Sequence, residues 1–461
     1  MKNTYSIMFF ICILFTGCGE NFLEEKPNSS IINPKTLAEF QTLLDNDEML
    51  NSTGGLAQMA ADEYFVIDKT TFDALQTPTE KGSYLWSKDL YGKGSNVSDW
   101  NRPYKAIFYA NSVIDGLNAL KVNAKDQVAW NNLKGSALFF RAYAFHDLAR
   151  SFCPVYNENT ADKDLGLPLK KSSGIDVILQ RSSLKDTYNQ IVADLNEALP
   201  LLRDDFSTPQ KNRPSKTAVT ALLARIYLYM GKYNEAEKAA NACLEKYNTL
   251  IDYNKISTDS DSPFANTSDE TIFFSRQIVE YYITLYTTYI LEIGVNPTLL
   301  ALYEPNDLRL QIFYEKNKLN NYNVKRGYVK EGVYAFTGLA VDEIMLIKAE
   351  CAARRNDPTL AISLLNTLLT NRYKTGTFEG LRSMSSTDAL QRVLLERQKE
   401  LVWRALRWSD LKRLNRDGAN ITLRRKLGDI EYSLSPNSPN YTFPIPLDEI
   451  NLGGIQQNIR Q

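Results

Sequence analysis

Carboxylate and guanidinium side chains are concentrated near the C-terminus, where they suit either acid–base chemistry or ion pairing. Glu396, Glu400 and Arg404 follow one another at intervals of four residues. This spacing places side chains on one helix face, where opposite charges pair. Glycoside hydrolysis instead needs two carboxyl groups that face each other across a cleft, roughly 5–10 Å apart. We therefore interpret residues 396–413 as exposed or partly buried ion pairs that support the fold, and not as a catalytic pair.

Other arrangements of catalytic or metal-binding residues do not occur in the sequence. His146 is the single histidine, so no HExxH pair exists, and no CxxC, glycine-rich phosphate loop or GxSxG elbow is present. We expect His146 to be a hydrogen-bonded packing residue. Cys153, Cys243 and Cys351 are far apart in the sequence, and we interpret them as small buried apolar residues. The sequence therefore predicts no enzyme activity, no cofactor and no metal site.

Aromatic and polar side chains are mixed in two stretches that lack helical periodicity, residues 51–98 and 252–334. Loops on a rigid scaffold commonly carry binding residues. An aromatic ring can cover the apolar face of a sugar while polar neighbours bond to its hydroxyl groups. Trp86 is the first candidate for this role, with the alternative that it is an aromatic plug under a loop. The candidate ligand-binding residues are Trp86, Tyr84, Tyr91, Asp62, Tyr281 and Tyr282.

Helix pairs supply the scaffold that would position these loops. Residues 215–247 show apolar positions at helical spacing in two arms, which Gly231 separates. A unit of about 34 residues of this kind is typical of a tetratricopeptide repeat, whose apolar face must be covered by neighbouring units. Residues 339–372 repeat the pattern, and further pairs are predicted at about 100–150 and 182–247. A single helix is expected at 34–50, a short strand at 271–274, and a helix with a possible break at 387–414.

The N-terminus carries a targeting signal. An apolar run at residues 7–15 follows Lys2 and is too short to span a bilayer. Phe15, Thr16 and Gly17 precede Cys18, as in a bacterial lipobox, so we expect Cys18 to become the acylated first residue. A plain secretory leader with an incidental cysteine is the alternative. The formal net charge of −1 gives no basic excess for nucleic-acid binding.

Several short motifs occur in a fixed order after this lipobox. Together they resemble the SusD/RagB family of outer-membrane nutrient-binding lipoproteins, and the resemblance covers nearly the whole mature chain. The most specific motif runs from Glu396 through Glu400, Arg407, Trp408 and Asp410 to Arg413. The other pieces are Trp100-x-x-x-Tyr104-x-x-Ile107-x-x-x-Asn111, Phe140-Arg-Ala-Tyr143, Gly166-Leu-Pro-Leu169, Arg213-Pro-Ser-Lys216, Glu343 to Glu350, and Pro444-Ile-Pro446 with Gln457 and Asn458.

The resemblance implies a mostly α, SusD-like fold: a tetratricopeptide-like helix-pair scaffold with long irregular insertions. It implies a lipoprotein signal peptide at 1–17, an N-terminal region at 18–250 with a tether and helix pairs, and a C-terminal region at 251–461 with ligand-side insertions. It further implies a lipid-anchored protein on the outer membrane that faces the cell exterior. Such a protein captures an oligosaccharide or peptide and delivers it to a SusC-like TonB-dependent transporter. A membrane-tethered adaptor with protein partners is the alternative function.

Overall fold

Helices dominate the structure, which is a computed structural model that describes residues 34–92, 96–174, 177–204, 210–267, 269–285, 291–330 and 332–461. Cys18 and its lipobox lie outside these residues. The α-helices are α1 (Leu37–Leu44), α2 (Asp47–Leu50), α3 (Leu56–Ala60), α4 (Lys69–Asp73), α5 (Pro78–Tyr84), α6 (Ser98–Ala119), α7 (Gln127–Phe152), α8 (Leu184–Leu201), α9 (Lys216–Met230), α10 (Tyr233–Lys246), α11 (Pro297–Leu300), α12 (Arg309–Phe313), α13 (Val341–Arg354), α14 (Pro358–Thr370), α15 (Ser386–Glu400), α16 (Arg407–Arg416) and α17 (Leu447–Gly453).

The long helices pack as an array of antiparallel pairs. Helices α6, α7, α8 and α9 each pack on the next helix in the chain, α10 packs on α13, and α13 packs on both α14 and α15. The pairs at 215–247 and 339–372 are thus confirmed. Gly231 ends α9 in the left-handed conformation with φ of 77°, where a side chain would be strained. The mostly α, SusD-like fold class is confirmed.

Small residues permit close helix contact at equivalent positions of the two repeated pairs. Ala224 on α9 and Ala236 on α10 are completely buried, and so is Ala361 on α14, while Ala349 on α13 is nearly so. The spacing of twelve residues thus places a buried alanine on each helix of both pairs. One apolar cluster contains side chains from both sides of residue 250, including Phe140, Ile344 and Trp408.

Short strands connect the irregular stretches to each other and to the scaffold. They are β1 (Ser52–Thr53), β2 (Tyr64–Val66), β3 (Thr271–Phe273), β4 (Arg276–Gln277), β5 (Ile293–Val295), β6 (Tyr314–Lys316), β7 (Tyr322–Val324), β8 (Leu339–Ala340), β9 (Leu423–Leu427) and β10 (Ile430–Leu434). Strands β1 and β4 pair in parallel, whereas β2 with β5, β3 with β8, β6 with β7 and β9 with β10 are antiparallel. The strand predicted at 271–274 is confirmed as β3.

Two helix predictions needed correction or refinement. The helix expected at 34–50 is in fact two helices, because the Asn46 side chain accepts a hydrogen bond from the Met49 amide and so caps a second start. The break expected within 387–414 falls between α15 and α16. The stretch at 51–98 also contains three short helices, of which α5 begins with a capping box between Thr77 and Glu80. No helix among the described residues is long and apolar enough to cross a membrane.

Candidate ligand-binding surface and the ion network beside it

The two irregular stretches meet on one side of the scaffold. Strand β2 of the first pairs with β5 of the second. Helix α5 contacts both stretches from one face: Glu80 Oε1 accepts a hydrogen bond from the Ile283 amide at 3.0 Å, and Tyr84 Oη accepts one from the Val66 amide at 2.9 Å. Because Glu80 and Tyr84 are four residues apart, these contacts are about 6 Å apart along the helix axis.

Apolar side chains of these two stretches remain exposed or half-buried, and we call this set the insertion surface. It consists of Phe65, Ile67, Phe72, Val279 and Tyr282. Ile67 is 40% exposed, Val279 44% and Tyr282 39%, while both phenylalanines are half-buried. Exposed apolar groups on a protein surface can take part in a binding site when they lie close together. Arg102 and Glu280, paired at 3.1 Å, supply charged groups beside it.

Four of the six predicted ligand-binding side chains are instead buried. Trp86 is only 4% exposed. Its indole N–H donates to the Ala60 carbonyl at 2.9 Å, and the Arg425 guanidinium lies 4.8 Å from the ring centroid. In this conformation Trp86 has no free ring face for a sugar, contrary to the prediction. The alternative interpretation, an aromatic plug under a loop, describes its surroundings.

The other buried candidates hold the loops in place through hydrogen bonds. Tyr91 donates to the Pro444 carbonyl at 2.8 Å, and Tyr281 donates to Asp99 Oδ2 at 2.6 Å. Tyr84 accepts the hydrogen bond from Val66 described above. Burial of Tyr281, together with the adjacent Asp99 carboxylate, raises the pKa of its phenol well above the ordinary value. These three tyrosines therefore pack and connect the loops, and they do not present rings to solvent.

The remaining two candidates differ from each other. Asp62 is partly exposed, but its carboxylate forms a two-point ion pair with Arg407, with both oxygens 2.8 Å from guanidinium nitrogens. The Arg407 charge holds the pKa of Asp62 below its ordinary value, although burial acts in the opposite direction. Tyr282 alone of the six presents an exposed ring on the insertion surface. Ligand contact by these residues stays a prediction, and the geometry favours Tyr282.

Ile67 and Val279 were not among the predicted residues. Each lies next to a very short strand, where the sequence offers no run of alternating apolar and polar residues long enough to indicate a face. Each directly follows a buried apolar residue, Val66 or Ile278, so apolar character alone did not distinguish the exposed residue from its buried neighbour. Two further tyrosines of the second irregular stretch, Tyr286 and Tyr289, lie outside the described residues.

A buried ion network replaces the exposed pairs expected for residues 396–413. The side chains of Glu396 and Glu400 are fully buried, and Arg309 contacts them at 2.6 and 2.9 Å. Arg404 pairs with Asp342 at 2.6 Å and not with Glu400. The predicted partial exposure and the pairing of Glu400 with Arg404 were wrong, because the main partners of these groups come from segments far away in sequence. Pairing within one helix does occur for Glu396, which contacts Arg392 at 2.7 Å. The interpretation of residues 396–413 as ion pairs that support the fold agrees with these contacts.

Three acidic groups of this network approach one another closely. Carboxylate oxygens of Glu270, Asp342 and Glu400 lie within 4.8 Å of one another. Arg372 contacts both Glu270 and Glu400 at 2.7 Å, and Arg404 contacts Asp342. Burial raises the pKa of Glu270 to about 7 in spite of Arg372. Because guanidinium groups already supply the positive charge, this geometry favours an ion network over a metal centre.

His146 packs as the sequence predicted. It is buried between the rings of Tyr188 and Tyr229, with centroids 6.4 and 6.2 Å away. Its Nδ1 has no hydrogen-bond partner among the described residues, so that part of the expectation is not met. Cys153, Cys243 and Cys351 are buried free thiols, in agreement with the sequence.

Glu63, which is completely buried beside the site, makes stability depend on pH. It accepts hydrogen bonds from Gln58 at 2.7 Å and from the Trp403 amide at 3.1 Å. Burial raises its pKa from 4.5 to about 7. The folded state therefore holds a proton that the unfolded state releases, so this group's contribution to stability is full below about pH 4.5 and is lost as the pH rises to about 7.

We expect the wild type to lose about 3 kcal/mol of stability relative to Glu63→Gln between pH 4.5 and 8. Glutamine does not titrate, so the difference between the two proteins isolates this one group. Urea unfolding at a series of pH values measures it. A difference that stays constant with pH would contradict the assigned direction.

Comparison with known proteins gives the same family for both ends of the chain. Residues 21–228 match a family model described as SusD-like, "Starch-binding associating with outer membrane", and residues 339–460 match the SusD family model. The chain belongs to the SusD/RagB family. These two matches leave out residues 229–338, which contain the second irregular stretch.

Relatives of this SusD/RagB protein are distant in sequence. SusD-like protein P2 of Formosa agariphila is 28% identical over 248 residues, which is 51% of this chain and 45% of the relative. A SusD-like protein of Bacteroides ovatus is 23% identical over 241 residues, which is 51% of this chain and 40% of the relative. The matched part thus spans less than half the length of each of these two curated relatives.

Solved structures show the SusD/RagB fold over nearly the whole chain. A SusD superfamily protein from Bacteroides thetaiotaomicron has a TM-score of 0.74 at 22% identity, and the match covers 92% of this chain and 100% of that one. A SusD-like carbohydrate binding protein from Bacteroides vulgatus has a TM-score of 0.70 at 22% identity, with 91% and 96% covered. At this level of identity the likeness establishes the architecture alone.

Proposed function

We propose that this SusD/RagB protein captures an oligosaccharide on the insertion surface and delivers it to a SusC-like TonB-dependent transporter. The observation that carries the proposal is the pairing of two loop stretches that a helix-pair scaffold holds, with the ring of Tyr282 partly exposed in the second stretch. A partly exposed ring beside apolar groups can cover the C–H face of a sugar, while flanking polar groups bond to its hydroxyl groups. A peptide nutrient is the alternative cargo.

Binding without catalysis is part of the proposal. The carboxylates that might have served as an acid–base pair, Glu396 and Glu400, are fully buried and joined to Arg309. A substrate on the insertion surface cannot reach groups that have no exposed area. The family resemblance points in the same direction, since its members are nutrient-binding proteins.

Calorimetric titration against a panel of oligosaccharides and peptides tests the proposal, and Tyr282→Ala locates the site. We expect saturable binding of one class of oligosaccharide, and a loss of about 1–3 kcal/mol, or roughly 5- to 150-fold in affinity, when the exposed ring is removed. Circular dichroism should show an unchanged fold, because Tyr282 does not belong to the buried apolar cluster.

Tyr109→Ala is the matched control. Tyr109 is also a half-buried tyrosine, but it lies on α6 and contacts Phe108 instead of the insertion surface. This variant should bind like the wild type. Equal affinities for the wild type and Tyr282→Ala would remove the insertion surface from the proposal, and saturable binding of peptides alone would replace the oligosaccharide with the alternative cargo.

We further propose that the protein is held at the outer membrane through acyl chains on Cys18 and faces the cell exterior. The lipobox sequence supports the anchor, and the family model described as associating with the outer membrane supports the location. Acyl chains contribute about 0.8 kcal/mol for each buried CH₂ group, so several chains hold a protein firmly.

Cys18→Ser is expected to release the protein from the membrane fraction completely. Fractionation of cells followed by immunoblotting measures this, and Cys243→Ser, which changes a buried thiol of the folded body, is the control that should stay in the membrane fraction. Cosedimentation of Cys18→Ser with outer membranes would show that another element anchors the chain. Protease treatment of intact cells reports the orientation.

A further inference from the structure

A small polar chamber lies in the interior, where α7, α9, α15 and α16 meet. Its volume is about 30 Å³, enough for about two water-sized groups. It lies apart from the five residues of the insertion surface, none of which lines it. The lining includes residues from both halves of the chain: Thr53, Tyr143, His146, Asp147, Arg150, Arg225, Leu228, Tyr229, Thr337, Arg397, Arg404, Leu406, Ser409, Asp410 and Arg413.

Hydrogen-bonding groups without partners converge on this chamber. Arg397, which is only 4% exposed, has a buried Nη1 with no partner among the described residues. Four further groups that line the chamber are also buried without a partner among the described residues. They are the hydroxyl groups of Ser409, Tyr229 and Thr53, and the Nδ1 of His146. Buried donors are rarely left without an acceptor, because water would otherwise have satisfied them in the unfolded chain. Five such groups around one small space indicate a bound species.

The charges around the chamber indicate what this species is. Three of the arginines each form an ion pair with a carboxylate, with N–O distances of 2.5–2.6 Å. The pairs are Arg225 with Glu343, Arg404 with Asp342, and Arg150 with Asp147. Each of these three guanidinium groups is thus matched by one negative charge close by. These three arginines therefore do not require an additional negative charge in the chamber.

Arg397 is the exception. It contacts Asp410 at 2.9 Å, but Asp410 also accepts a hydrogen bond from Arg413 at 2.7 Å. Arg413 forms a further two-point pair with Glu350, which also contacts Arg354. Arg354 also contacts Asp417, which Arg416 shares, so this chain of ion pairs contains four arginines and three carboxylates. Arg397, at its chamber end, keeps an unpartnered N–H group.

The pKa of His146, which also lines the chamber, depends on the positive charges around it. Burial and the charges of Arg150 and Arg225 lower the pKa of His146 well below its ordinary value, so the imidazole is neutral. A neutral imidazole adds no positive charge of its own, and its Nδ1 can donate a hydrogen bond in the appropriate tautomer.

We propose that this chamber binds one small monovalent anion of halide size, such as chloride, through Arg397 and the hydroxyl groups of Ser409 and Tyr229. The anion supplies the charge that Asp410 does not provide in full, and all of these groups can donate to it. It connects α9, α15 and α16 and so joins the N-terminal and C-terminal helix pairs. This site is independent of nutrient binding, and its test uses no nutrient.

Thermal unfolding of the full chain in detergent tests the proposal, with sodium chloride compared with sodium fluoride and sodium sulfate at constant ionic strength. In the wild type we expect the melting temperature to rise by about 1.5 °C for each tenfold increase in chloride above the dissociation constant. The more strongly hydrated fluoride and the larger, divalent sulfate should lack this specific increment. The increment is taken relative to a variant that lacks the site, since salts also act generally on stability.

Arg397→Gln and Ser409→Ala are the variants. Arg397→Gln should abolish the chloride-specific increment. Ser409→Ala should fold normally, because its hydroxyl has no partner within the described chain, and should require several-fold more chloride for the same increment. Arg355→Gln is the control, since Arg355 forms its ion pairs at the surface with Glu237 and Asp357 and should leave the chloride response unchanged.

A crystal of the wild type soaked in bromide supplies a direct second measurement. We expect an anomalous scattering peak in the chamber within hydrogen-bonding distance of Arg397 Nη1. Two results would each overturn the proposal: a chamber that contains only water in the soaked crystal, or identical melting temperatures in chloride, fluoride and sulfate once the Arg397→Gln baseline is subtracted.

Discussion

Arg372→Met will destabilise the folded chain by about 3–5 kcal/mol, since it removes one partner of a buried ion network and leaves carboxylates without their counter-charge. Arg372 is completely buried and contacts Glu270 and Glu400, both at 2.7 Å. Its guanidinium also donates to the Ile251 carbonyl at 2.8 Å and lies 4.0 Å from the centroid of the Tyr253 ring. Methionine preserves much of the volume and none of these hydrogen bonds. Urea unfolding at pH 7 measures the change.

Arg355→Met is the matched control for this substitution. Arg355 also contacts two carboxylates, Glu237 at 2.9 Å and Asp357 at 3.0 Å, but 43% of its side chain is exposed. Exposed ion pairs contribute roughly 0–1 kcal/mol, because water and salt screen them. A loss below about 1 kcal/mol for Arg372→Met would show that the network is not required for stability, and that the carboxylates become neutral at little cost.

Trp86→Ala is expected to destabilise the protein by about 3–5 kcal/mol and to leave the oligosaccharide affinity of the folded protein unchanged. The indole is buried, donates to the Ala60 carbonyl and lies beside Arg425. Its removal leaves a cavity and one carbonyl without a donor. Its backbone φ of 54° is in the left-handed region, and alanine does not relieve that strain. Urea unfolding and calorimetric titration under strongly native conditions measure the two effects separately.

Trp130→Ala is the control with similar local contacts. The Trp130 indole also donates to a carbonyl, that of Leu117 at 2.9 Å, and also lies under a cation, Lys134 at 5.4 Å. It is half-buried, so its removal should cost clearly less than that of Trp86. A stable Trp86→Ala variant with weakened oligosaccharide binding would restore the ligand-stacking role that the sequence suggested.

The helix pairs could be predicted from the sequence because the patterns that indicate them are local. Apolar residues recur every three to four positions in α9 and α10, and Gly231 between them adopts the left-handed conformation that few other residues tolerate. The alanines at positions 224 and 236 indicated close packing for the same reason: periodicity identifies the inward face, and a small residue on that face permits a short distance between helices.

The burial of side chains in the loop stretches was harder to predict, because these stretches have no periodic pattern that distinguishes an inward from an outward side chain. Tyr281 and Tyr282 are adjacent and chemically identical, yet the first is buried against Asp99 and the second is exposed. The pairings of β1 with β4 and of β2 with β5 decide this, and they join residues more than 200 positions apart. Composition indicated that these stretches could bind a ligand, but it did not show which rings remain free to do so.

The sequence by itself determined the helix-pair scaffold and the family, because these depend on short motifs and on periodicity along one element. Only the tertiary structure decided that Trp86 is buried, that Arg404 pairs with Asp342, and that Arg397 shares its carboxylate with Arg413. The reason is physical: burial and charge pairing depend on which distant segments pack together. A tryptophan or an arginine has the same local sequence signature whether its neighbour is water, a carboxylate or another ring.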